Sequence, residues 1–442
     1  MGKPTTLEER VMIMEMWRSG YSDKQISQEL NRSYSVIRKW RRRGLRDGYE
    51  GLISQMGRPN KGFLSSFSDE LVKKLRELRN SHSGWGATTL LTELQEVGWP
   101  EEDTPGLASI NRFLEQEDQA RSYNHHTDLP TVEESKPTRE HEEWEMDARG
   151  HSYIPDVGVV ALVNLNELFS HARLLGFPCL LGNKRLSRRL RTEDYQLILR
   201  LAFTDWGMPD RLSVDHETVF YDNDNPSPYP TRFHLWLIAL GVELTFGRKS
   251  TPTDQAMTER SHQLWFNQVV KDQRFANWES LYLALRKRRD FLNEKLPCSS
   301  VGNVPILKAF PKVAIPRRPY KPEWEENIFD IQRIHQYLAK GKWFRKVSRV
   351  GTISLGGYVY NVGKEWAKQQ IEITFDLIIS KLVFQNPQHE ETKVAELKGC
   401  SKTILMGTLN PWNYMPNFQL SLPFSWHEFA QVRLFDTAGG TT

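Results

Sequence analysis

GVVALVNLNELFSHARLLGFPCLL, residues 158–181, is the stretch on which the fold turns. It alternates and then runs apolar like two buried strands, and a first strand is read just before it, around Glu145 to Arg149. Downstream, TEDYQLILRLAFTDWG (192–207) is helical, RLSVD (211–215) a short strand, TRFHLWLIALG (231–241) helical and VELTF (242–246) a strand. DQAMTERSHQLWFNQVV (254–270) and NWESLYLALRKRRDFLNEKL (277–296) are helical again. The order βββ-α-β-α-β-α calls for an α/β layer built on a mixed sheet.

Toward the N terminus the period changes to helical. Thr6-Leu7-Glu8-Glu9 has capping-box spacing, and Ile13, Met16 and Trp17 follow as one apolar stripe. Ser22 to Gln25 is a second capping box, with Ile26 and Leu30 as the next apolar face. Ser33 can cap a third helix in which Val36, Ile37 and Trp40 face inward. Tyr34, Ser35, Arg38, Lys39, Arg41, Arg42 and Arg43 are left outward, the pattern of a helix-turn-helix with a basic recognition helix. A solvated three-helix bundle is the alternative, but the basic residues sit where a major-groove reader must neutralise phosphates. A second three-helix pattern follows. Ser68 caps its first helix, and Leu71, Leu75, Leu78, Leu90, Leu91, Leu94, Ile110, Phe113 and Leu114 form its expected core.

Toward the C terminus, VSRVGTISLGGYVYNVG, QQIEITFDLIISKLVFQ and TKVAELKG are short strands with glycine turns, as in a small β-barrel. An aromatic tail with Trp412, Tyr414, Phe418, Phe424 and Trp426 ends the chain.

Composition bounds the class. The 442 residues imply several domains, and 39% hydrophobic with 26% charged residues supports packed cores. The net charge of +4 averages opposite segments: residues 1–62 carry 13 Lys/Arg against 7 Asp/Glu, residues 101–147 carry 4 against 14, and residues 308–349 carry 11 against 4. The first and last attract phosphates. No apolar stretch reaches the roughly 18 to 20 residues that span a bilayer, and MGKPTTLEER lacks a secretory pattern. A cytoplasmic, nucleoid-associated protein without membrane partners is expected. Cys179, Cys298 and Cys400 lie far apart with no zinc spacing and read as reduced packing residues.

Three carboxylates stand where a two-metal phosphoryl-transfer site needs them. Asp147 lies in the first strand of the core, Asp215 ends RLSVD, and Glu259 lies on the helix of 254–270. Such hard oxygen ligands from strand ends and a facing helix suit two divalent ions about 4 Å apart. Glu217 and Asp254 are the nearest rivals. Asp254 is better placed to cap its helix, and Glu217 points away from Asp215 if the strand persists. DNDN at 222–225 fails as a calcium loop because Ser227 stands where glycine is required. Arg260, His262 and Gln263 share the glutamate helix, on a side able to track a DNA end. Lys184 to Arg191 and Arg286 to Arg289 are further basic runs.

WEMD, RLSVDHE and TPTDQAMTER in this order resemble the catalytic core of the DDE transposases and retroviral-type integrases over roughly residues 143–270. GWGATTLLTEL, SINRFL and ISLGGYVYNVG are similar to flanking pieces of bacterial insertion-sequence transposases. The resemblance implies an RNase-H-like core with a mixed five-stranded sheet, a C-terminal SH3-like barrel, and Mg²⁺ or Mn²⁺, two ions, as cofactor. It implies a polynucleotidyl transferase acting on double-stranded DNA, both element ends and target, with homo-oligomers on DNA and a possible accessory ATPase. The expected organisation is a helix-turn-helix domain over 1–62, a second, winged-helix-like domain over 63–120 and an acidic linker over 121–143. The catalytic core takes 144–300, a basic linker 301–345, the barrel 346–400 and a tail 401–442. Two departures from the pattern are Asp215-His216-Glu217 in place of Asp-Asn-Gly and Gln255-Ala256 in place of Asn-Gly, both of which lose glycine flexibility. The 43 residues between Asp215 and Glu259 exceed the commonest spacing, and the excess fits the loop 222–231. A DNA-binding regulator that no longer cuts, and a nuclease without strand transfer, are the rival functions.

Overall fold

The computed structural model describes residues 5–53, 63–117, 136–247, 262–387 and 391–407. The first unit is α1 (Leu7–Arg18), α2 (Asp23–Glu29) and α3 (Tyr34–Asp47). Both predicted capping boxes form, with Glu9 N donating to Thr6 Oγ1 at 3.2 Å and Ser22 N to Gln25 Oε1 at 2.9 Å. Each closes orphan amides of a first turn. Ser33 starts α3 without capping it, and its hydroxyl instead meets that of Ser35 at 3.1 Å. Ile13, Ile26 and Ile37, one from each helix, are fully buried together against Trp40.

The second unit, α4 (Asp69–Ser81), α5 (Ala87–Glu96) and α6 (Leu107–Gln116), buries Leu75, Leu90, Leu94, Ile110 and Phe113 around Trp85.

The third unit carries the sheet. β1 (Glu143–Ile154), β2 (Gly158–Glu167) and β3 (Arg173–Gly182) form an antiparallel meander, and β4 (Arg211–Val214) and β5 (Glu243–Phe246) add parallel to β1. The resulting order, β3-β2-β1-β4-β5, is the expected mixed five-stranded sheet. α7 (Thr192–Trp206) and α8 (Arg232–Leu240) cross between the parallel strands, and α9 (Trp278–Glu294) packs on β3. β2 and β3 are buried over almost their whole length, which is why their sequence runs apolar instead of alternating cleanly.

The helix read over 254–270 is described from His262 onward, and over Phe266–Val270 it is π-helical, an irregularity common at functional sites. The second helical unit docks here. Trp85 Nε1 donates to Gln268 O at 3.2 Å, and Arg288 on α9 pairs with Glu93 and binds Gln268 Oε1. A Cβ on Gly84 would stand 2.0 Å from Asn267 O, so this approach requires glycine.

Beyond α10 (Ile331–Leu338), β6 (Trp343–Lys346), β9 (Gln370–Asp376), β10 (Lys381–Asn386) and β11 (Glu391–Glu396) make an antiparallel sheet of order β11-β10-β9-β6. β7 (Thr352–Leu355) and β8 (Tyr358–Asn361) pair only with each other. The closed SH3-like barrel expected here is therefore not formed by the strand pairing among the described residues. The two small sheets share one apolar core, and packing on Tyr229, Leu235 and Ala239 takes the place of ladder closure. Loop 222–231, expected as a tolerant insertion, is the seat of this sheet. Trp343 Nε1 donates to Pro228 O at 3.1 Å, and Arg345 Nη1 to Ser227 O at 2.7 Å.

Candidate active site

β1 alternates, with Trp144 and Met146 buried on one face and Glu143, Glu145 and Asp147 on the other. Its parallel register with β4 pairs Glu143 with Arg211, Trp144 with Leu212 and Glu145 with Ser213. Carried two residues further, that register points Asp147 on β1 toward Asp215, the residue just past the end of β4. Their proximity is felt electrostatically. The Asp215 carboxyl is raised above its ordinary value, first by burial and then by the negative charge of Asp147, against a hydrogen bond from Glu217 N at 3.1 Å.

Glu217 corrects the reading that turned it away. β4 ends at Val214, so strand alternation no longer governs residue 217. Its carboxylate accepts from the buried Tyr195 hydroxyl at 2.8 Å. Its carboxyl is raised chiefly by desolvation, with Asp215 and Asp147 adding to the rise and the Tyr195 bond opposing it. Only the early end of the strand brings it in, and no local sequence signal announces that.

His262 is not free to track DNA in this structure. Its Nε2 is hydrogen-bonded to Asp147 Oδ2, and its Nδ1 meets Asn164 Nδ2 at 2.6 Å. The ring of His262 thus bridges the Asp147 carboxylate and the Asn164 amide. Asn164 is fully buried directly across from Asp147 on β2, and its Oδ1 has no partner among the described residues. Sequence reading missed Asn164 and Tyr195, which lie in apolar runs typical of plain core. Gln263 lies beside His262 with an exposed side chain. Glu259 and Arg260, like Asp254, lie outside the described residues, as do the tail aromatics. Among the described residues no group of three metal-ligating side chains converges.

On the recognition helix, Tyr34, Ser35, Arg38, Lys39 and Arg42 are exposed. Arg41 instead grips Asp23 at 2.7 and 3.0 Å, fastening α3 to α2, and Arg43 lies 5.2 Å from the centroid of the Trp40 ring. The other basic runs are partly absorbed in the same way. Arg188 clamps Asp194, while Arg289, buried, binds Asp205 at 3.1 Å. Replacing Arg38 and Arg42 by alanine is expected to weaken duplex binding and to lower the slope of log affinity against log salt by roughly 2, about 0.9 per lost phosphate contact. Titrations at several salt concentrations check this, and an unchanged slope removes α3 from the DNA.

Residues 4–53 match the family model of a homeodomain-like domain. No curated protein matches the chain. Among solved structures, a chain of the simian T-cell lymphotropic virus intasome in complex with PP2A regulatory subunit B56 gamma shares 12% identity over 73% of this chain and 96% of that one, with a TM-score of 0.32. The HTLV-2 integrase catalytic core in complex with magnesium shares 14% over 38% and 95%, and the BIV integrase catalytic core 15% over 39% and 95%, both with a TM-score of 0.28. At these scores the overlap decides nothing, and the core is characterised by its own strand order and register. The chain is similar at its N terminus to homeodomain-like helix-turn-helix domains, and that unit precedes a mixed five-stranded core that carries Asp147 within β1 and Asp215 just past β4.

Proposed function

We propose that the protein is a DNA transposase of the DDE type, an RNase-H-like polynucleotidyl transferase that binds element ends and cuts and joins DNA. The observation that carries the reading is the β1–β4 register, which brings Asp147 and Asp215 together behind a helix-turn-helix unit. Two neighbouring carboxylates, one of them raised first by burial and further by the other's charge, are a donor set whose repulsion a divalent cation relieves. Asp147, Asp215 and Glu259 would hold Mg²⁺ or Mn²⁺, two ions, which when bound activate the attacking oxygen and stabilise the leaving one. The chain's own residues orient that set. Asn164 holds His262, His262 holds one oxygen of Asp147, and Tyr195 holds Glu217 beside Asp215. Water first hydrolyses the strand at the element end, and the freed 3′-hydroxyl then attacks target DNA. No covalent protein intermediate is required. The order of parts in this reading is the two helical units, the catalytic core and the C-terminal strands. Homo-oligomers pair the two ends, an ATPase partner is compatible with target choice, and the protein acts in the cytoplasm on the nucleoid.

One observation favours a second reading, a regulator that binds without cutting: His262 occupies an oxygen of Asp147. Labelled DNA from inverted repeats flanking the gene, incubated with the full chain and Mg²⁺, separates the readings. Joined products are expected. Nicks alone indicate a nuclease, and bound, intact DNA indicates the regulator.

A further inference from the structure

A cavity of about 350 Å³ opens by the end of β5, where Phe246 pairs with Val214 of β4, between loop 222–231, α10 and β6. Its walls are mostly aromatic. Tyr221 and Phe246 line it, and both also touch the ring of His216, with centroids 5.0 and 5.4 Å away. The cavity is thus continuous, ring to ring, with the residue that follows Asp215. Tyr337 and His234 form another wall, their rings 5.2 Å apart, and Trp343 closes the floor. At the rim stands the exposed cation Lys340.

Two features say what this space holds. His234 is 8% exposed and lines the cavity, its ring packed between those of Phe246 and Tyr337. Tyr337 keeps 41% of its surface exposed at the cavity, leaving its ring accessible to a ligand. Aromatic faces for stacking, an imidazole in the wall and a rim cation match the parts of a nucleotide, which are a flat base, polar base edges and a phosphate.

We infer that this cavity receives an unpaired nucleobase of the DNA strand whose phosphodiester lies at Asp147 and Asp215. The inference rests on the transposase reading for its location, while its binding chemistry stands separately. The base stacks on Tyr337, its edge meets His234, and Lys340 holds the adjoining phosphate. Extruding one base lets the scissile phosphate leave the regular duplex path.

The test measures binding of the full chain, in EDTA, to fluorescent oligothymidylate and to a fully paired duplex of equal length. Tyr337→Leu is expected to weaken oligothymidylate binding roughly tenfold, the loss of one stacked base, and to leave duplex affinity unchanged. Tyr337→Phe restores it, because stacking needs the ring and not the hydroxyl. Lys340→Ala lowers the salt dependence for the single strand only. Asp215→Asn keeps single-strand binding even though it removes cutting, so failure of the catalytic reading is told apart from failure of the pocket. Equal affinity of Tyr337→Leu and the unaltered protein, a parallel loss on duplex, or competition by free thymidine monophosphate as strong as by the oligonucleotide overturns the inference.

Discussion

Replacing Asp215 by asparagine is expected to abolish cutting and joining while sparing DNA retardation on a gel. A carboxylate that grips divalent ions at the reacting phosphate supplies several kcal/mol of transition-state stabilisation, so the loss should be roughly a thousandfold or more. Asparagine keeps the size and the hydrogen bond that Glu217 N donates to Oδ1. The same variant should gain stability in EDTA at neutral pH. The folded protein holds this carboxyl above its ordinary value through burial and the charge of Asp147. An acid raised on folding is destabilising when ionised, a cost that is full above its folded value and fades as pH falls through it. Lost activity with an unchanged or raised melting temperature therefore identifies a catalytic carboxylate, whereas lost activity with a lowered melting temperature identifies a structural one. Retained joining removes Asp215 from the chemistry and the transposase reading with it.

Glu325→Ala is expected to cost about 3–5 kcal/mol of stability, because it strands a buried guanidinium. Arg200 on α7 and Glu325 are 1% and 0% exposed and form a bidentate ion pair. Trp236 Nε1 donates to the same carboxylate at 3.0 Å, the Tyr320 hydroxyl donates as well, and Arg200 also binds Met406 O at 2.9 Å. Burial alone would raise the Glu325 carboxyl, yet Arg200 and the hydrogen bonds hold it below the usual range. This stability is present above the unfolded carboxylate value and is lost as pH falls through the lower folded one. Urea denaturation of Glu325→Ala, Arg200→Met and the double variant checks the coupling, and the double variant should lose less than the two single losses added together. Additive losses would show that the two residues act independently.

Periodicity and caps made the elements legible. The boxes at Thr6 and Ser22, the isoleucines of α1 to α3 and the apolar runs of β2 and β3 each depend on neighbours within a few residues, and each stands where its local pattern puts it. Asp147 and Asp215 were legible as a pair for the same reason, since one lies within a readable strand and the other follows the end of one. The C-terminal strands were legible too, but whether their edges join depends on what covers them, and here Tyr229, Leu235 and Ala239 do.

The sequence by itself determined which segments are helices and strands and which residues carry charge, because those follow from spacing along one chain. Only the tertiary structure decided that Glu217 turns back to Tyr195, that His262 bonds Asp147 and Asn164, that Arg41 and Arg288 are held by Asp23 and Glu93, and that loop 222–231 seats a sheet and walls a cavity. Each of these joins residues brought together by packing, and a side chain's partner across such a contact leaves no period in the chain to read.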